Sequence, residues 1–395
     1  MRTVKDLDFT SKIVLVRVDY NLPMDEHGKI ADDNRIRATL PLINYLMEKG
    51  AKIVLASHMG RPKGKRVEAL SLEPAAKRLA ELLPRGTAVN FIDDCIGPEV
   101  KGRVATLEPG QVLVLENLRF YPGEGENDPE FARSLADLCQ VYVNDAFAVS
   151  HRNAASIVAI TQFVDEACAG FLLEKEVKCF TDSVENPARP LVAVIGGAKV
   201  SSKLGALENM LNHVDSLLIG GAMANTFLKS QGYNLGASMV EDELVETAAH
   251  IVETAKKRGV ELTLPVDLLV ADKFKVDART QMVKAAKIPQ EWMALDIGPE
   301  TSRIFETAVK DAGTIVWNGP MGVFEMEPFR AGTQKMADAV AGSGAFSVVG
   351  GGDTGLAVNM CGVADKISYV STGGGAFLHL MEGKKLPGVV ALDKK

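Results

Sequence analysis

Short apolar runs alternate with longer stretches of helical spacing along the first half of the chain. The runs predict strands at residues 13–18, 52–56, 112–115 and 141–143. Apolar side chains three and four positions apart predict helices over residues 36–49, 72–83 and 131–138. Because this alternation is typical of βαβ units, we expect a mostly parallel sheet that binds ligands beyond the carboxyl ends of its strands.

The same alternation returns in the second half of the chain. Apolar runs there predict strands at residues 191–195, 216–219, 314–317, 346–349 and 367–370. Between the two halves, residues 165–182 predict a single helix. The polar segment 184–190 holds Pro187 and Pro190, and this pair of prolines predicts a domain boundary.

Composition limits the protein class without identifying it. A chain of 395 residues is too long for one hydrophobic core, so two domains are expected. The formal net charge of -7 argues against general binding to nucleic acid or to a membrane surface. The five cysteines form no C-x-x-C pair, and no apolar run is long enough to span a bilayer. We therefore expect a cytoplasmic enzyme or binding protein with reduced thiols.

Basic side chains follow the predicted strands of the first half. The residues concerned are Arg35, His58, Arg61, Arg119, His151 and Arg152. Taken singly, each arginine could pair with a nearby surface carboxylate. Together at one edge of a sheet they would repel each other without an anion, and guanidinium groups bind carboxylates and phosphates with two parallel hydrogen bonds. The pattern predicts a pocket for a small, multiply charged anion.

Glycines take the equivalent positions in the second half. The strand ends carry Gly196-Gly197, Gly220-Gly221, Gly319, Gly350-Gly351-Gly352 and Gly373-Gly374-Gly375. Any one pair could be a packing turn, but a strand that enters a helix through glycines brings bare N–H groups to a helix N-terminus, where they bind phosphate. The pattern predicts a nucleotide site.

Charged residues add detail to this predicted nucleotide site. Asp353 follows the glycines and is expected to hold Mg²⁺ beside the phosphates. Lys199 and Lys203 lie four residues apart at the start of a predicted helix, so both are expected to project from one face toward a phosphate. Glu325 is expected to accept hydrogen bonds from ribose hydroxyls.

Two alternatives stay open on these observations. Residues 350–355 match G-x-G-x-x-G, the fingerprint of an NAD-type oxidoreductase, but Asp365 comes too early for the ribose-binding acid. A non-catalytic binding protein on the same fold is the second alternative, because fold does not determine function. Neither a Walker A motif nor the protein-kinase motifs occur.

Eight motifs lie in order along the chain, at residues 16–23, 57–62, 115–120, 144–152, 196–200, 317–320, 350–354 and 371–375. Together they resemble the phosphoglycerate kinase family along essentially the whole chain. The resemblance implies two Rossmann-like lobes, each a mostly parallel sheet flanked by helices, joined by a hinge helix. It implies an N-terminal 3-phosphoglycerate domain at 1–168, an interdomain helix at 169–183, a nucleotide domain at 184–370, and a segment at 371–395 that packs toward the N-terminal domain.

The same resemblance implies roles for individual residues. Catalytic roles fall on Arg35, Lys199, Gly352 and Gly374. The 3-phosphoglycerate site comprises Asp19, Tyr20, Asn21, Arg35, His58, Met59, Gly60, Arg61, Arg119 and Arg152. The nucleotide site comprises Lys203, Asn318, Glu325, Gly351, Gly352, Asp353 and Thr354, and Asp353 contacts the magnesium of the nucleotide.

The implied activity is the glycolytic, reversible transfer of a phosphoryl group between ATP and the carboxylate of 3-phosphoglycerate, which gives 1,3-bisphosphoglycerate and ADP. A carboxylate is ionised at neutral pH, so the reaction needs no general base and depends on alignment and charge stabilisation. Because the two predicted pockets belong to separate domains, we expect in-line transfer with hinge closure. The resemblance also implies a cytoplasmic monomer that binds neither nucleic acid nor membrane.

Overall fold

A computed structural model describes residues 1–393. The chain divides into two compact units. The first unit holds Met1–Val177 and the C-terminal residues from Lys385 onward, and the second holds Lys178–Lys384. The division falls inside a helix. Which ligand each unit binds stays a prediction.

A six-stranded parallel sheet forms the centre of the first unit. Its strands are β1 (Ile13–Arg17), β2 (Lys52–Ala56), β3 (Val89–Ile92), β4 (Val112–Leu115), β5 (Val141–Asn144) and β6 (Glu166–Ala169). The spatial order is β3-β4-β2-β1-β5-β6. The helices are α1 (Asn34–Glu48), α2 (Glu73–Leu82), α3 (Pro98–Ala105), α4 (Pro122–Glu126) and α5 (Pro129–Ala136). Strands β2, β4 and β5 are buried almost throughout, as expected for a parallel sheet covered on both faces.

Helix α6 (Phe171–Val184) leads from the first unit into the second. The prediction of one helix over residues 165–182 is therefore wrong at its start. Residues 167–169 are fully buried and pair with β5, so they form the edge strand β6 instead. Gly170 lies between the strand and the helix. Glycine is required there because any side chain would overlap the carboxylate of Asp145.

The second unit contains two sheets. Its strands are β7 (Leu191–Ile195), β8 (Ser216–Ile219), β9 (Glu261–Thr263), β10 (Asp267–Ala271), β11 (Thr280–Lys284), β12 (Met293–Ile297), β13 (Thr314–Asn318), β14 (Phe346–Gly350) and β15 (Tyr369–Val370). The parallel sheet has the order β15-β14-β13-β7-β8-β9, and β11-β10-β12 form a separate antiparallel sheet. The antiparallel sheet was not predicted.

Helices cover both faces of the parallel sheet of the second unit. They are α7 (Leu204–Met210), α8 (Met223–Ser230), α9 (Val245–Arg258), α10 (Pro299–Lys310), α11 (Ala331–Gly342), α12 (Gly352–Met360) and α13 (Gly374–Met381). Trp317 of β13 is fully buried in the core cluster that these elements form. The strand predicted at residues 367–370 is shorter than expected, because a 3-10 turn at Ala364–Lys366 precedes it.

The C-terminal helix α14 (Pro387–Leu392) belongs to the first unit. The N–H of Gly388 donates to the carbonyl of Ser150 over 2.9 Å. Residues 371–384 lie in the second unit, so the predicted C-terminal segment is divided between the two. Its last two residues lie outside the described part of the chain.

Candidate active site

The carboxyl ends of four adjacent strands of the first unit carry the basic side chains. Strands β4, β2, β1 and β5 are neighbours in that order, and all are parallel. The segments after them therefore meet at one edge of the sheet. The predicted meeting of these strand ends is confirmed by the strand order, and the binding roles of their side chains stay a prediction.

Asp19 connects several of these segments. Its Oδ2 accepts a hydrogen bond from Nη1 of Arg35 over 2.7 Å, and its Oδ1 accepts from the N–H of Asn21 over 3.2 Å. Asn21 in turn accepts from the N–H of Gly60 over 2.8 Å, which ties the segment after β1 to the segment after β2. This bonding holds the half-buried guanidinium of Arg35 in one orientation.

His58 is buried beside Arg17, a residue that the sequence analysis did not assign to the site. Nη2 of Arg17 lies 3.2 Å from Nδ1 of His58. A guanidinium group can only donate, so Nδ1 accepts and the imidazole proton resides on Nε2. Burial, and after it the charge of Arg17 and of the other arginines nearby, hold the pKa of His58 well below its ordinary value. His58 is therefore a neutral hydrogen-bond donor at pH 7.

Arg17 itself is held by a buried acid. Its side chain is 1% exposed, and Nη2 lies 3.7 Å from Oε1 of Glu124, which is 2% exposed. Nε of Arg17 donates to Ser156, whose hydroxyl also donates to Glu124. A lone charge within an apolar strand was the only signal in the sequence for this group.

Several arginines, including Arg17, line a cavity of about 570 Å³. Its basic lining residues are Arg17, Arg61, Lys63, Arg119 and Arg152. Burial, followed by the charges of Arg17 and Arg152, lowers the pKa of Arg119 to about 10, so Arg119 stays charged at neutral pH. Lys63 was not predicted. The cavity suits an anion with several negative charges.

Two residues of the predicted substrate site point elsewhere. Tyr20 is fully buried, and its hydroxyl bonds to Thr39 over 2.9 Å. The Met59 side chain is 2% exposed and packs in the core. Only the main chain of these two residues faces the segments that form the site. The N–H of Tyr20 is not available to a ligand, because it donates to Oγ of Ser57.

The second unit brings its glycine segments together in the same way. Strands β14, β13, β7 and β8 are adjacent and parallel. A cavity of about 620 Å³ opens beside their carboxyl ends. Apolar side chains such as Met239, Leu268 and Leu295 line it, together with glycine main chain. The exposed carboxylates of Glu325 and Asp353 are also part of its lining.

Helix α12 begins at the loop that follows β14. Gly351, at φ +100°, is its N-cap residue. A Cβ at Gly352 would meet nothing within 4 Å, so the N-terminal N–H groups of α12 are open to an anion. Gly374 begins α13, and a Cβ placed there would lie 3.0 Å from Cα of Gly351. The first turns of α12 and α13 therefore approach each other.

Asn318 and Thr354 are both buried, and they support this loop from the protein interior. Nδ2 of Asn318 donates to the carbonyl of Gly350 over 2.9 Å. Oγ1 of Thr354 accepts from the N–H of Gly319 over 2.7 Å. Nδ2 of Asn318 and Oγ1 of Thr354 are thus engaged within the protein, so both residues shape the loop.

The two lysines do not lie on one helical face, and that prediction is wrong. Helix α7 begins only at Leu204, and Lys199 to Lys203 form a turn before it. Nζ of Lys203 points inward and donates to the carbonyls of Gly196 (2.7 Å) and Asn318 (2.9 Å). Burial lowers the pKa of Lys203 to about 8. Lys199 is exposed.

The family model described as phosphoglycerate kinase matches residues 4–384. The chain belongs to the phosphoglycerate kinase family. It is 77% identical to the phosphoglycerate kinase of Desulforapulum autotrophicum, with 100% of each chain covered. It is 57% identical to that of Desulfosudis oleivorans, covering 100% of this chain and 99% of the relative.

A solved phosphoglycerate kinase from Coxiella burnetii matches the fold with a TM-score of 0.90 at 44% identity, covering 99% of this chain and 98% of that one. These findings confirm the predicted family and the predicted two-lobe α/β class. They also confirm the prediction that the protein is a phosphotransferase, and they argue against the alternative of an NAD-type oxidoreductase.

Two features are absent from the described residues, 1–393. No helix there is both long and apolar enough to cross a membrane. Likewise, no group of three or more potential metal-binding side chains occurs within that range. Asp353 is an exposed carboxylate beside the glycine loop at the start of α12. This fits an ion such as Mg²⁺, which takes one or two carboxylates and completes its shell with phosphate oxygens and water.

A first prediction concerns which ring nitrogen of His58 carries the proton. Two-bond ¹H–¹⁵N NMR spectra should show His58 neutral, with its proton on Nε2, throughout pH 6–8. The physical reason is that Arg17 donates to Nδ1 and burial opposes protonation. His27, whose side chain is 73% exposed, serves as the internal reference for a solvated imidazole. A protonated Nδ1 on His58 at pH 7 would contradict the assignment.

Proposed function

We propose that this protein transfers a phosphoryl group reversibly between ATP and the carboxylate of 3-phosphoglycerate, with 1,3-bisphosphoglycerate and ADP as the other pair. One observation carries the proposal. The first unit gathers arginines around a cavity, and the second unit opens glycine main chain and a helix N-terminus beside an apolar cavity. The first arrangement suits a compact polyanion, and the second suits a nucleotide with its phosphates.

The acceptor substrate binds to the arginine cluster of the first unit in this proposal. Arg61, Arg119 and Arg152 bind its negatively charged groups, and His58 donates from Nε2. Arg35 is oriented by Asp19 and is available to the carboxylate that receives the phosphoryl group. Asn21 holds the main chain of Gly60 and so keeps the two segments in register.

The nucleotide binds to the second unit. The apolar cavity accommodates the base, and Glu325 at its lining accepts hydrogen bonds from the ribose hydroxyls. The N–H groups at the start of α12 and α13 bind the phosphates, with Gly352 and Gly374 at those positions. Lys203 already donates to two carbonyls, so it contacts a phosphate by exchanging one of them.

The transfer itself requires alignment and charge stabilisation. The acceptor carboxylate is ionised, so no residue has to remove a proton. Negative charge spreads over the oxygens of the transferring group, and Arg35, Lys199 and the glycine N–H groups meet it. Mg²⁺, held by Asp353 and the nucleotide phosphates, neutralises part of the phosphate charge when bound.

The decisive experiment measures ADP formation by the purified protein. With ATP and Mg²⁺, ADP should appear only when 3-phosphoglycerate is added. The isomer 2-phosphoglycerate, which carries the same charges in a different arrangement, is the matched control. The proposal would be wrong if ADP formed at the same rate with and without 3-phosphoglycerate.

Replacing Asp353 with asparagine tests the magnesium contact. We expect the Kd of Mg-ADP to rise about tenfold, or about 1.4 kcal/mol, because a neutral amide is a poor ligand for a hard cation. Binding of ADP in EDTA should not weaken. Isothermal titration calorimetry measures both. The exposed Asp365 lies outside the cavity lining, so Asp365→Asn should leave both values unchanged. An unaltered Mg-ADP affinity in Asp353→Asn would remove Asp353 from the magnesium site.

Hinge closure stays a prediction that follows from the chemistry, since in-line transfer needs the two reacting groups within bonding distance. The radius of gyration measured by small-angle scattering should fall when both substrates are added, and an unchanged value would argue against closure. We also propose that the protein acts as a cytoplasmic monomer, which sedimentation equilibrium and cell fractionation would test.

A further inference from the structure

The turn that carries Lys199 is anchored at several points. The side chain of Val200 is fully buried. The hydroxyl of Ser202 donates to the carbonyl of Lys199 over 2.8 Å, and Lys203 is bonded to two carbonyls of neighbouring loops. The Lys199 side chain itself is exposed and has no hydrogen bond or ion pair within residues 1–393. Its position therefore depends on how firmly the turn is held.

Glu241 anchors this turn from outside the glycine loops. Its Oε1 accepts from the hydroxyl of Ser201 over 2.5 Å, and its Oε2 accepts from the N–H of Ser201 over 3.1 Å. The two oxygens of one carboxylate thus bind two donors of one residue. Replacing either oxygen by an N–H group would leave one donor without its acceptor.

Glu241 is itself bonded to the buried part of the second unit. Its N–H donates to Oγ1 of Thr226 over 3.1 Å, and Thr226 lies in helix α8 with 1% exposure. The contact therefore connects the exposed turn to a buried helix. A connection of this kind limits the movement of the turn relative to the glycine loops.

The electrostatics agree with this geometry. Burial of Glu241 acts to raise its pKa, but the hydrogen bonds from Ser201 and Val200, with the charge of Lys199, outweigh burial and hold the pKa below its ordinary value. Glu241 is therefore a carboxylate at neutral pH, and it accepts hydrogen bonds in the charged form that makes them strongest.

We propose that Glu241 is a positioning residue for phosphoryl transfer, which holds the turn at residues 199–202 so that Lys199 reaches the transferring group. Glu241 does not line the nucleotide cavity, so it acts through the turn. The inference rests on the role of Lys199 in the proposed function. A displacement of about 1 Å at a reacting group can cost on the order of 10²-fold in rate, so a loosened turn has a measurable effect.

The test compares Glu241→Gln with Glu243→Gln. Glu243 is an exposed glutamate two residues away with no partner among residues 1–393, so it is a matched control. We expect Glu241→Gln to lower kcat about tenfold, with little change in the KM of either substrate, because the turn and not the binding surface is affected. Glu243→Gln should equal the unmodified protein.

A double-mutant cycle separates positioning from a general structural role. If Glu241 acts through Lys199, then Glu241→Gln should cause no further loss of kcat in a Lys199→Ala background. Two fully additive losses would overturn the inference. So would an unchanged kcat in Glu241→Gln while the unmodified protein is active.

Hydrogen exchange gives a readout that does not depend on activity. The amide of Ser201 should exchange about tenfold faster in Glu241→Gln than in the unmodified protein, while the amides of β7 exchange at equal rates in both. Equal rates at Ser201 would overturn the inference. An unmodified protein without 3-phosphoglycerate-dependent ADP formation would instead overturn the proposed function, and with it the role of Glu241 in transfer.

Discussion

Replacing Arg35 with alanine should lower turnover by about 10²–10³-fold and leave the affinity for ATP nearly unchanged. Arg35 lies in the first turn of α1, where Oδ2 of Asp19 accepts from its Nη1 over 2.7 Å. The guanidinium is already oriented before the substrate arrives, so it stabilises developing charge without reorganisation. The residues proposed to bind the nucleotide all belong to the other unit, so the loss should fall on transfer. Steady-state kinetics and calorimetry with ATP measure the two quantities.

Helix α1 offers a matched control for this substitution. Arg37 also pairs with an aspartate at 2.7 Å, but its partner is Asp33 and its side chain is 50% exposed. Exposed pairs of this kind contribute about 0–1 kcal/mol to stability. Arg37→Ala should therefore retain full turnover. Equal losses of turnover and of ATP affinity in Arg35→Ala would mean that Arg35 only supports the structure.

Lysine at position 35 refines the same prediction. Lysine keeps the charge but loses the planar fork that lets Asp19 and a substrate bind one guanidinium together. Turnover of Arg35→Lys should therefore fall between those of the alanine variant and the unmodified protein. If the lysine variant were fully active, charge alone would account for the role of Arg35.

The sequence predicted the parallel strands closely, because buried parallel strands are continuous apolar runs. Strands β2, β4, β7 and β8 coincide with their predicted bounds. The antiparallel sheet escaped prediction, since β11 is mostly exposed and lacks both an apolar run and a clear alternation. Strand β6 was missed because its short apolar stretch leads directly into α6, and periodicity does not separate a short strand from a helix.

The sequence predicted the features of the candidate site that follow from strand order. It did not predict the side-chain orientations that follow from packing. Strand order alone brings Arg119 and Arg152 to one edge of the sheet. Nothing in the sequence indicates that Tyr20 turns into the core, or that Lys203 points at two carbonyls in place of solvent. Those orientations follow from space and from hydrogen-bond partners far apart in the chain.

The second large effect should come from Gly319→Ala, which places one methyl group between two glycine loops of the proposed nucleotide site. Gly319 has φ +102°, and a Cβ there would overlap the carbonyl of Gly196 and Nζ of Lys203. Strain at such a φ costs about 1–3 kcal/mol, and overpacking costs about 1–3 kcal/mol more. We expect a loss of about 4 kcal/mol in the stability of the second unit, measured from its urea midpoint, and weaker binding of ADP.

Gly232→Ala separates the two contributions. Gly232 belongs to the same unit and has φ +87°, but a Cβ there would meet nothing within 4 Å. This variant should lose only the backbone contribution of about 1–2 kcal/mol and should bind ADP normally. The difference between the variants then measures the close approach of two glycine loops. If Gly319→Ala were no less stable than Gly232→Ala and bound ADP as tightly, the loops would not require bare main chain at this point, and the proposed phosphate site would lose its main physical support.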